Sequence, residues 1–181
     1  TTYDAVGKVT STTDELNRKT RYKYDKRNRL TTTIDPLNHQ TTRKYDGNGN
    51  LIALTDALNQ TTRYEYDALD RQKKITDALS QVTSFTYDKV GNLETVTDPE
   101  QNTTTYTYDE LDRLKTEENE LGKTRSYDYD AVGNLIATTD RNQRKRSYTY
   151  DRVDRQKEEN WLDSQGDAIR TISYDYDKVG R

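Results

Sequence analysis

Tyr-Asp recurs every 21 residues along this chain, at Tyr3-Asp4, Tyr24-Asp25, Tyr45-Asp46, Tyr66-Asp67, Tyr87-Asp88, Tyr108-Asp109, Tyr129-Asp130 and Tyr150-Asp151. One longer interval, of 26 residues, then leads to Tyr176-Asp177. A fixed period of this length implies supersecondary units that stack on their neighbours. It also overrules the composition. With 34% charged and 29% hydrophobic residues, the chain would otherwise read as disordered. Its net charge is only −3, however, and all 15 tyrosines fall either on the repeat tyrosine or two residues before it. A disordered linker has no cause to hold its aromatics in register.

We number each repeat from its tyrosine as position 1. In residues 62–67, Thr62, Tyr64 and Tyr66 alternate with Arg63, Glu65 and Asp67, the period-two pattern of a strand with two unlike faces. Position 5 is then Gly7, Asn28, Gly49, Asp70, Gly91, Asp112, Gly133, Asp154 or Gly180. These are the residue types that accept a left-handed backbone. A three-residue hairpin loop, a type I turn closed by one left-handed residue, requires that choice at its third place. The aspartate at position 2 is suited to cap such a turn. The loop sets position 2 against position 6 and position 1 against position 7, so that most tyrosines face an aliphatic residue across the hairpin. The returning strand, as at Leu51–Thr55, has a less distinct sidedness.

A second turn closes the repeat. Position 12 is Asp14, Asp35, Asp56, Asp77, Asp98 and Asp140, with Asn119 and Trp161 as exceptions, and Pro36 and Pro99 follow at the first corner. From the third repeat on, positions 5 and 6 alternate Gly-Asn with Asp-Arg, which hints at a 42-residue double unit whose halves meet different neighbours.

The expected fold is all-β: an array of antiparallel β-hairpins, two strands per 21-residue unit, coiled into a spiral ribbon, shell or tube. The tyrosine face is expected to be covered by the sheet itself, since no helical periodicity is present to cover it. Residues 1–181 read as a single array, a section of a longer protein. Eight units start at Tyr3, Tyr24, Tyr45, Tyr66, Tyr87, Tyr108, Tyr129 and Tyr150, and a ninth begins at Tyr176. The long interval is expected to form a longer loop near 158–170. Trp161 and Leu162 on that loop either dock on a partner or cover an end or seam of the sheet.

Catalytic and metal-binding sets find little purchase. His39 is the one histidine and there is no cysteine, which leaves no Cys–His nucleophile or zinc cluster. His39 occupies a turn place that other repeats fill with Arg, Gln, Asn or Lys. Asp46-Gly47-Asn48-Gly49-Asn50 begins like a calcium loop but puts Leu51 where the sharp-turn glycine belongs and Ala57 where the bidentate glutamate belongs. No cofactor is implied. Balanced charge argues against a nucleic-acid partner, and no apolar run reaches membrane-spanning length.

Tyr87-Asp88-Lys89-Val90-Gly91-Asn92-Leu93 and Tyr129-Asp130-Ala131-Val132-Gly133-Asn134-Leu135, each followed by a Thr-rich strand and a Tyr-x-Tyr-Asp, resemble the YD-repeat or RHS-repeat family. The resemblance extends over the whole chain. It implies a β-ribbon wound into a hollow shell, as in large bacterial secreted or surface proteins and animal teneurins. In bacterial toxins of the family the shell encloses an effector domain, and the repeats are also associated with carbohydrate binding. The family's self-cleaving terminal core has no counterpart here, so protease activity is not carried over. The partners implied are neighbouring repeats, then an enclosed effector or surface glycans, and the localisation is secreted or cell-surface. A structural shell segment is the leading function. An extracellular adhesive or fibre-forming array, or a homo-oligomer, is the alternative, and an enzyme would have to be built on His39.

Overall fold

A computed structural model describes residues 1–177, all of them strand, turn or connecting coil. Gly180, expected at a ninth turn, lies outside the described residues. The chain divides into two compact units, Thr1–Phe85 and a second that begins at Thr86. The first unit holds β1 (Thr2–Tyr3), β2 (Val9–Thr13), β3 (Lys19–Tyr24), β4 (Leu30–Ile34), β5 (Gln40–Tyr45), β6 (Leu51–Thr55), β7 (Thr61–Tyr66), β8 (Gln72–Thr76) and the start of β9 (Val82–Tyr87). The second holds β10 (Leu93–Thr97), β11 (Thr103–Tyr108), β12 (Leu114–Glu118), β13 (Thr124–Tyr129), β14 (Leu135–Thr139), β15 (Lys145–Tyr150), β16 (Gln156–Leu162) and β17 (Ala168–Ser173). Within each unit every strand pairs antiparallel with its neighbours in the chain, and the sheet stays open.

The first turn has the expected form. In the third repeat the Asp46 N–H donates to the Asn50 carbonyl at 3.0 Å, and Gly49 takes φ +110°. Position 1 meets position 7, as in Tyr45↔Leu51 and Tyr129↔Leu135. The second turn proves to be the same turn. Asp56 N–H donates to Gln60 O at 2.9 Å, Asn59 N–H donates to Asp56 O at 3.1 Å, and Asn59 is left-handed at φ 61°. Ser80, Gln101 and Gln143 hold that left-handed place elsewhere. Their residue types do not announce it.

What specifies both turns is the aspartate that opens them. Asp56 Oδ1 accepts the N–H of Leu58 at 2.8 Å and of Gln60 at 2.9 Å. Asp67 Oδ1 does the same for Leu69 and Arg71, at 2.9 and 3.0 Å. One carboxylate thereby satisfies donors that the turn would leave without partners.

A feature absent from the expectation recurs in the hairpins. Lys44 faces Ala53, but Tyr45 faces Leu51, so two residues oppose three and Ile52 stands outside the ladder. The same shift occurs between Lys23 and Tyr24, between Glu65 and Tyr66, and between Asp128 and Tyr129. This β-bulge reverses the phase of the returning strand near its start. It explains the blurred sidedness of that strand, and why Ile52, Lys73, Glu94, Lys115, Ile136 and Lys157 all stand exposed.

Pairing between successive hairpins is shorter than pairing within one. β6 and β7 share only Thr55↔Thr61, Leu54↔Thr62 and Ala53↔Arg63, all towards the second turn. Beyond Ala53 the two strands part, and Tyr64–Tyr66 pair with β8 alone.

Two expectations need correction. First, the tyrosine face is not covered by a second layer within either unit. Among the described residues no hydrophobic side chain is fully buried, and the one buried residue is Ser11, 4% exposed. A single sheet has two open faces, and its position 1 rings are half-buried by their neighbours. Second, the longer loop near 158–170 is strand. β16 extends to Leu162, its pairing with β15 runs for six rungs from Tyr150↔Gln156 to Lys145↔Leu162, and the usual turn follows at Asp163–Asp167. The extra residues lengthen a hairpin and leave the turn unchanged.

Gly133 sits at φ +104° with nothing within 4 Å of a Cβ built on it, so any cost of substitution there is conformational. Gly133→Val is expected to destabilise its unit by about 1–2 kcal/mol, while Gly133→Asn, which tolerates the left-handed region, costs only a few tenths. Urea unfolding midpoints of the two variants test this. Equal midpoints would show that the turn does not depend on the left-handed residue.

Candidate functional site: the latch between hairpins

The parting of successive hairpins leaves the position 7 carbonyl without a ladder partner on the outgoing side. The next repeat's tyrosine takes it. Tyr24 Oη donates to Val9 O at 2.9 Å, Tyr45 to Leu30 O at 2.9 Å and Tyr66 to Leu51 O at 3.0 Å. In the second unit Tyr108 donates to Leu93 O at 2.9 Å, Tyr129 to Leu114 O at 3.0 Å and Tyr150 to Leu135 O at 2.8 Å. Tyr176, after the lengthened hairpin, still reaches Gln156 O at 2.7 Å. The ring fills the gap and the hydroxyl replaces the missing rung, so phenylalanine would supply only half of what position 1 needs. Tyr3 has no described hairpin before it and is 62% exposed.

Position 6 adds a second tie, of two alternating kinds. In the Gly-Asn repeats, Asn50 Nδ2 donates to Asp46 Oδ2 at 3.0 Å in its own turn and to Asp70 Oδ1 at 2.6 Å in the next. Asn134 bridges Asp130 and Asp154 likewise, at 3.1 and 3.0 Å. In the Arg repeats the longer side chain reaches further. Arg113 donates from Nε to Asp109 Oδ2 at 2.7 Å and from Nη1 to the Asp130 carbonyl at 2.9 Å, and its guanidinium lies 4.6 Å from the centre of the Tyr129 ring. Arg29 makes the same three contacts with Asp25, Asp46 and Tyr45. The 42-residue alternation thus has a physical basis. An aspartate at position 5 is the acceptor for the asparagine before it, and the arginine beside it grips the tyrosine after it.

The remaining signature aspartates, Asp4, Asp25, Asp88, Asp109 and Asp151, cap their own turns through Oδ1. Gly7 and Gly91 are left-handed at φ 82° and 110°. Tyr87 closes β9, and Tyr176-Asp177 ends the described residues.

Trp161 and Leu162 lie on a strand, not on the expected loop. Trp161 lies in β16, half-buried between the guanidiniums of Arg146 and Arg170, at 4.3 and 5.4 Å from its ring, and its Nε1 donates to Glu159 Oε1 at 2.8 Å. Leu162 is a half-buried strand residue opposite Lys145 and Ala168. His39 takes the part that Arg18 and Arg144 play in other second turns, its Nδ1 lying 2.9 Å from Asp35 Oδ2. Among the described residues no group of three or more His, Cys, Asp or Glu side chains is placed to hold a metal ion.

A model of the RHS repeat matches residues 3–40, 45–82, 69–103, 87–125, 112–145 and 129–159. The chain belongs to the RHS repeat family. No curated protein sequence matches it significantly. Its fold is similar to part of a TcdB2-TccC3 crystal structure (TM-score 0.74, 16% identity, 95% of this chain and 12% of that one). It is also similar to part of a Photorhabdus luminescens Tc holotoxin pore with a mutated TccC3 (TM-score 0.70, 16% identity, 86% and 9%). A TcdB2-TccC3-Cdc42 structure gives TM-score 0.62 at 20% identity over 88% of this chain and 9% of the other. The chain therefore spans about a tenth of the proteins it resembles in fold.

The RHS turns have an electrostatic consequence. The Arg71 side chain holds the Asp67 carboxyl below the usual carboxylate range, and the Arg155 main-chain N–H does the same for Asp151. At Asp46 and Asp130 partial desolvation pushes upward but is outweighed by N–H groups of Asn50 and Asn134. Groups lowered by folding stabilise it above their unfolded pKa, and the contribution is lost as pH falls through the lowered value. The thermal midpoint is therefore expected to be lower at about pH 3 than at about pH 5, because the loss sets in below the free carboxylate value of about 4. A midpoint unchanged over that interval would show that the turn carboxylates carry no such linkage. Separately, Tyr129→Phe is expected to cost about 1 kcal/mol, the net worth of a hydrogen bond to a half-buried carbonyl. A urea midpoint equal to that of the parent chain would remove the latch from the energetics.

Proposed function

We propose that this chain is a non-enzymatic wall segment of an RHS β-shell that encloses or presents a payload domain. The observation that carries the reading is the tyrosine latch. In hairpin after hairpin, the most recognisable side chain of the repeat is committed to the main chain of the hairpin before it. A residue whose ring and hydroxyl are both used to join neighbours serves continuity of the sheet. Position 6 serves the same end, and the turn aspartates serve the turns.

The likeness in fold to parts of TcdB2-TccC3 and of a Tc holotoxin supports a place in a toxin shell, and with it secretion. In this reading the partners are the adjoining repeats on either side and the payload within. The adhesive alternative, with glycans bound by exposed tyrosines, is less well supported, because the hydroxyls of Tyr24, Tyr45, Tyr66, Tyr108, Tyr129, Tyr150 and Tyr176 are already donated to carbonyls.

Limited proteolysis of the full-length protein encoded with this segment tests the proposal. The expected result is a payload that resists cleavage while the wall is intact. Replacing Tyr66, Tyr108, Tyr129 and Tyr150 together by Ala is expected to speed its cleavage about tenfold or more, as each lost ring and hydroxyl opens a gap. A payload cut at the same rate behind the intact and the altered wall would overturn enclosure.

A further inference from the structure

The place four residues before each repeat tyrosine changes character along the chain. It is Thr20, Thr41, Thr62, Thr83 and Thr104 in successive repeats, then Arg125 and Arg146 in the next two. Both arginines belong to the unit that begins at Thr86, on β13 and β15, with β14 between them. On β14 the intervening residue is Thr138, which faces Tyr127 across one ladder and Arg146 across the other. Arg144 joins them from the second turn, at a place that Gln60 and Gln81 hold in other repeats. With Asp140 and Tyr148 these side chains line a hollow of about 350 Å³. Its walls stand two strand spacings apart, about 10 Å, and its floor is a threonine. In the first unit the corresponding floor is the apolar Leu54 or Ile75, and at Thr33 the hydroxyl already accepts from Arg43 at 3.2 Å.

The whole chain carries −3, yet three guanidiniums and a single carboxylate line this hollow. That carboxylate is committed. Asp140 accepts Arg144 Nε on Oδ2 at 2.6 Å, and the turn N–H groups of Asn142 and Arg144 on Oδ1 at 2.8 and 3.0 Å. Two glutamates stand at the flanks, and each has a closer partner elsewhere. Glu117 is held by Arg141, and Glu159 accepts from Trp161 Nε1 at 2.8 Å. Arg125 and Arg146 reach these glutamates only at 3.4 and 3.5 Å, beyond the usual range of about 2.7–3.2 Å for such a bond. Among the described residues, a buried side-chain nitrogen without a partner occurs in this same cluster, at Nε of Arg141. Donors outnumber acceptors here, and the lining is left with two uncompensated positive charges.

We infer that the hollow over Thr138 is a binding site for a phosphate monoester. A monoester carries close to two negative charges at pH 7 and presents three acceptor oxygens, one for each guanidinium fork. A carboxylate has one charge and two oxygens, and would satisfy a single arginine. The volume exceeds what a phosphoryl group fills. The remainder lies against Tyr127 and Tyr148, which suit a flat or apolar ester group. The site needs no payload and no closed shell, and stands apart from the enclosure reading.

Calorimetric titration of the purified chain with phenyl phosphate, from about 0.01 to 10 mM, tests the site. The expected result is one site per chain. Inorganic phosphate, which lacks the ring, and phenyl sulfate, which carries a single charge, are each expected to bind about tenfold more weakly. Arg125→Thr with Arg146→Thr installs the residue that other repeats hold there, and is expected to weaken phenyl phosphate binding about 30-fold or more. Circular dichroism and the thermal midpoint check that this variant is folded. Arg144→Gln, which copies Gln60 and Gln81, is the second variant, with an expected loss of about tenfold. No histidine lines the hollow, so the pH dependence is that of the ligand. Binding is expected to weaken from about pH 7.5 to about pH 5.5, as the phosphate takes its second proton near pH 6. Phenyl phosphate that does not bind, either control binding equally well, affinity indifferent to both arginine changes, or affinity unchanged with pH would each overturn the site.

Discussion

The rest of the structure depends on a hydrogen bond from a tyrosine hydroxyl to a main-chain carbonyl. A bulge opposes the position 1 tyrosine in hairpin after hairpin, as at Tyr45 and Tyr129, and bends the returning strand. Three rungs near the second turn then hold the two hairpins together, and the first-turn end gapes. An open gap in a sheet costs twice, once in carbonyls without donors and once in lost packing. A phenol answers both, since its ring spans the gap and its hydroxyl ends on the position 7 oxygen, as Tyr66 does on Leu51 and Tyr129 on Leu114. Tyrosine, bulge and short lateral pairing are one device in three parts.

The alternation at positions 5 and 6 follows from the same gap. Its mouth needs a polar closure between one turn and the next. Asparagine is short and reaches only the neighbouring turn, so an acceptor must be placed there, and Asp70, Asp112 and Asp154 provide it. Arginine is long enough to pass the turn and lie over the following ring, where it also meets a main-chain carbonyl. Two asparagine repeats in succession would leave the first without an aspartate to receive it, and two arginine repeats would leave the second one's aspartate without a donor. The 42-residue period is a condition of mutual satisfaction along the edge.

How much of this could be read from residues alone depended on where each feature is encoded. The hairpin, its left-handed third residue and the pairing of position 1 with position 7 were legible because Gly, Asn and Asp at position 5 have few other uses. The second turn was legible as a turn but not as the same turn, because Ser80, Gln101 and Gln143 hide the left-handed place. Its aspartate was the better signal, as Asn119 shows by capping the Lys123 N–H through an equivalent oxygen at 2.9 Å. The bulge left no residue signature, since position 8 is Ile52, Lys73 or Glu94 without preference. The insertion around Trp161 reads as a loop from its length, because the sequence does not show the register that makes it strand. Asp163 and Gly166 supply the ordinary turn two residues later, and the paired strands absorb the rest. Trp161 itself is explained by Arg146 and Arg170 on adjacent strands, a contact that only strand register could bring together.

A sheet whose described residues include no buried hydrophobic side chain must be stabilised by terms that are local and repeated. Each hairpin is joined to the next by three rungs, a tyrosine latch and one polar tie, and none of these extends past the immediate neighbour. Stability then behaves as a sum of hairpin and junction terms, and a weak junction lowers the whole array only through its own link. That economy has a structural consequence at the tips. Because no long-range core recruits the apolar residues of the repeat, the turn leucines and valines are left free of any role within their own unit. They are held outward by turns whose polar groups are already satisfied. Their regular spacing is inherited from the ladder, which makes the edge of this ribbon as periodic as its face.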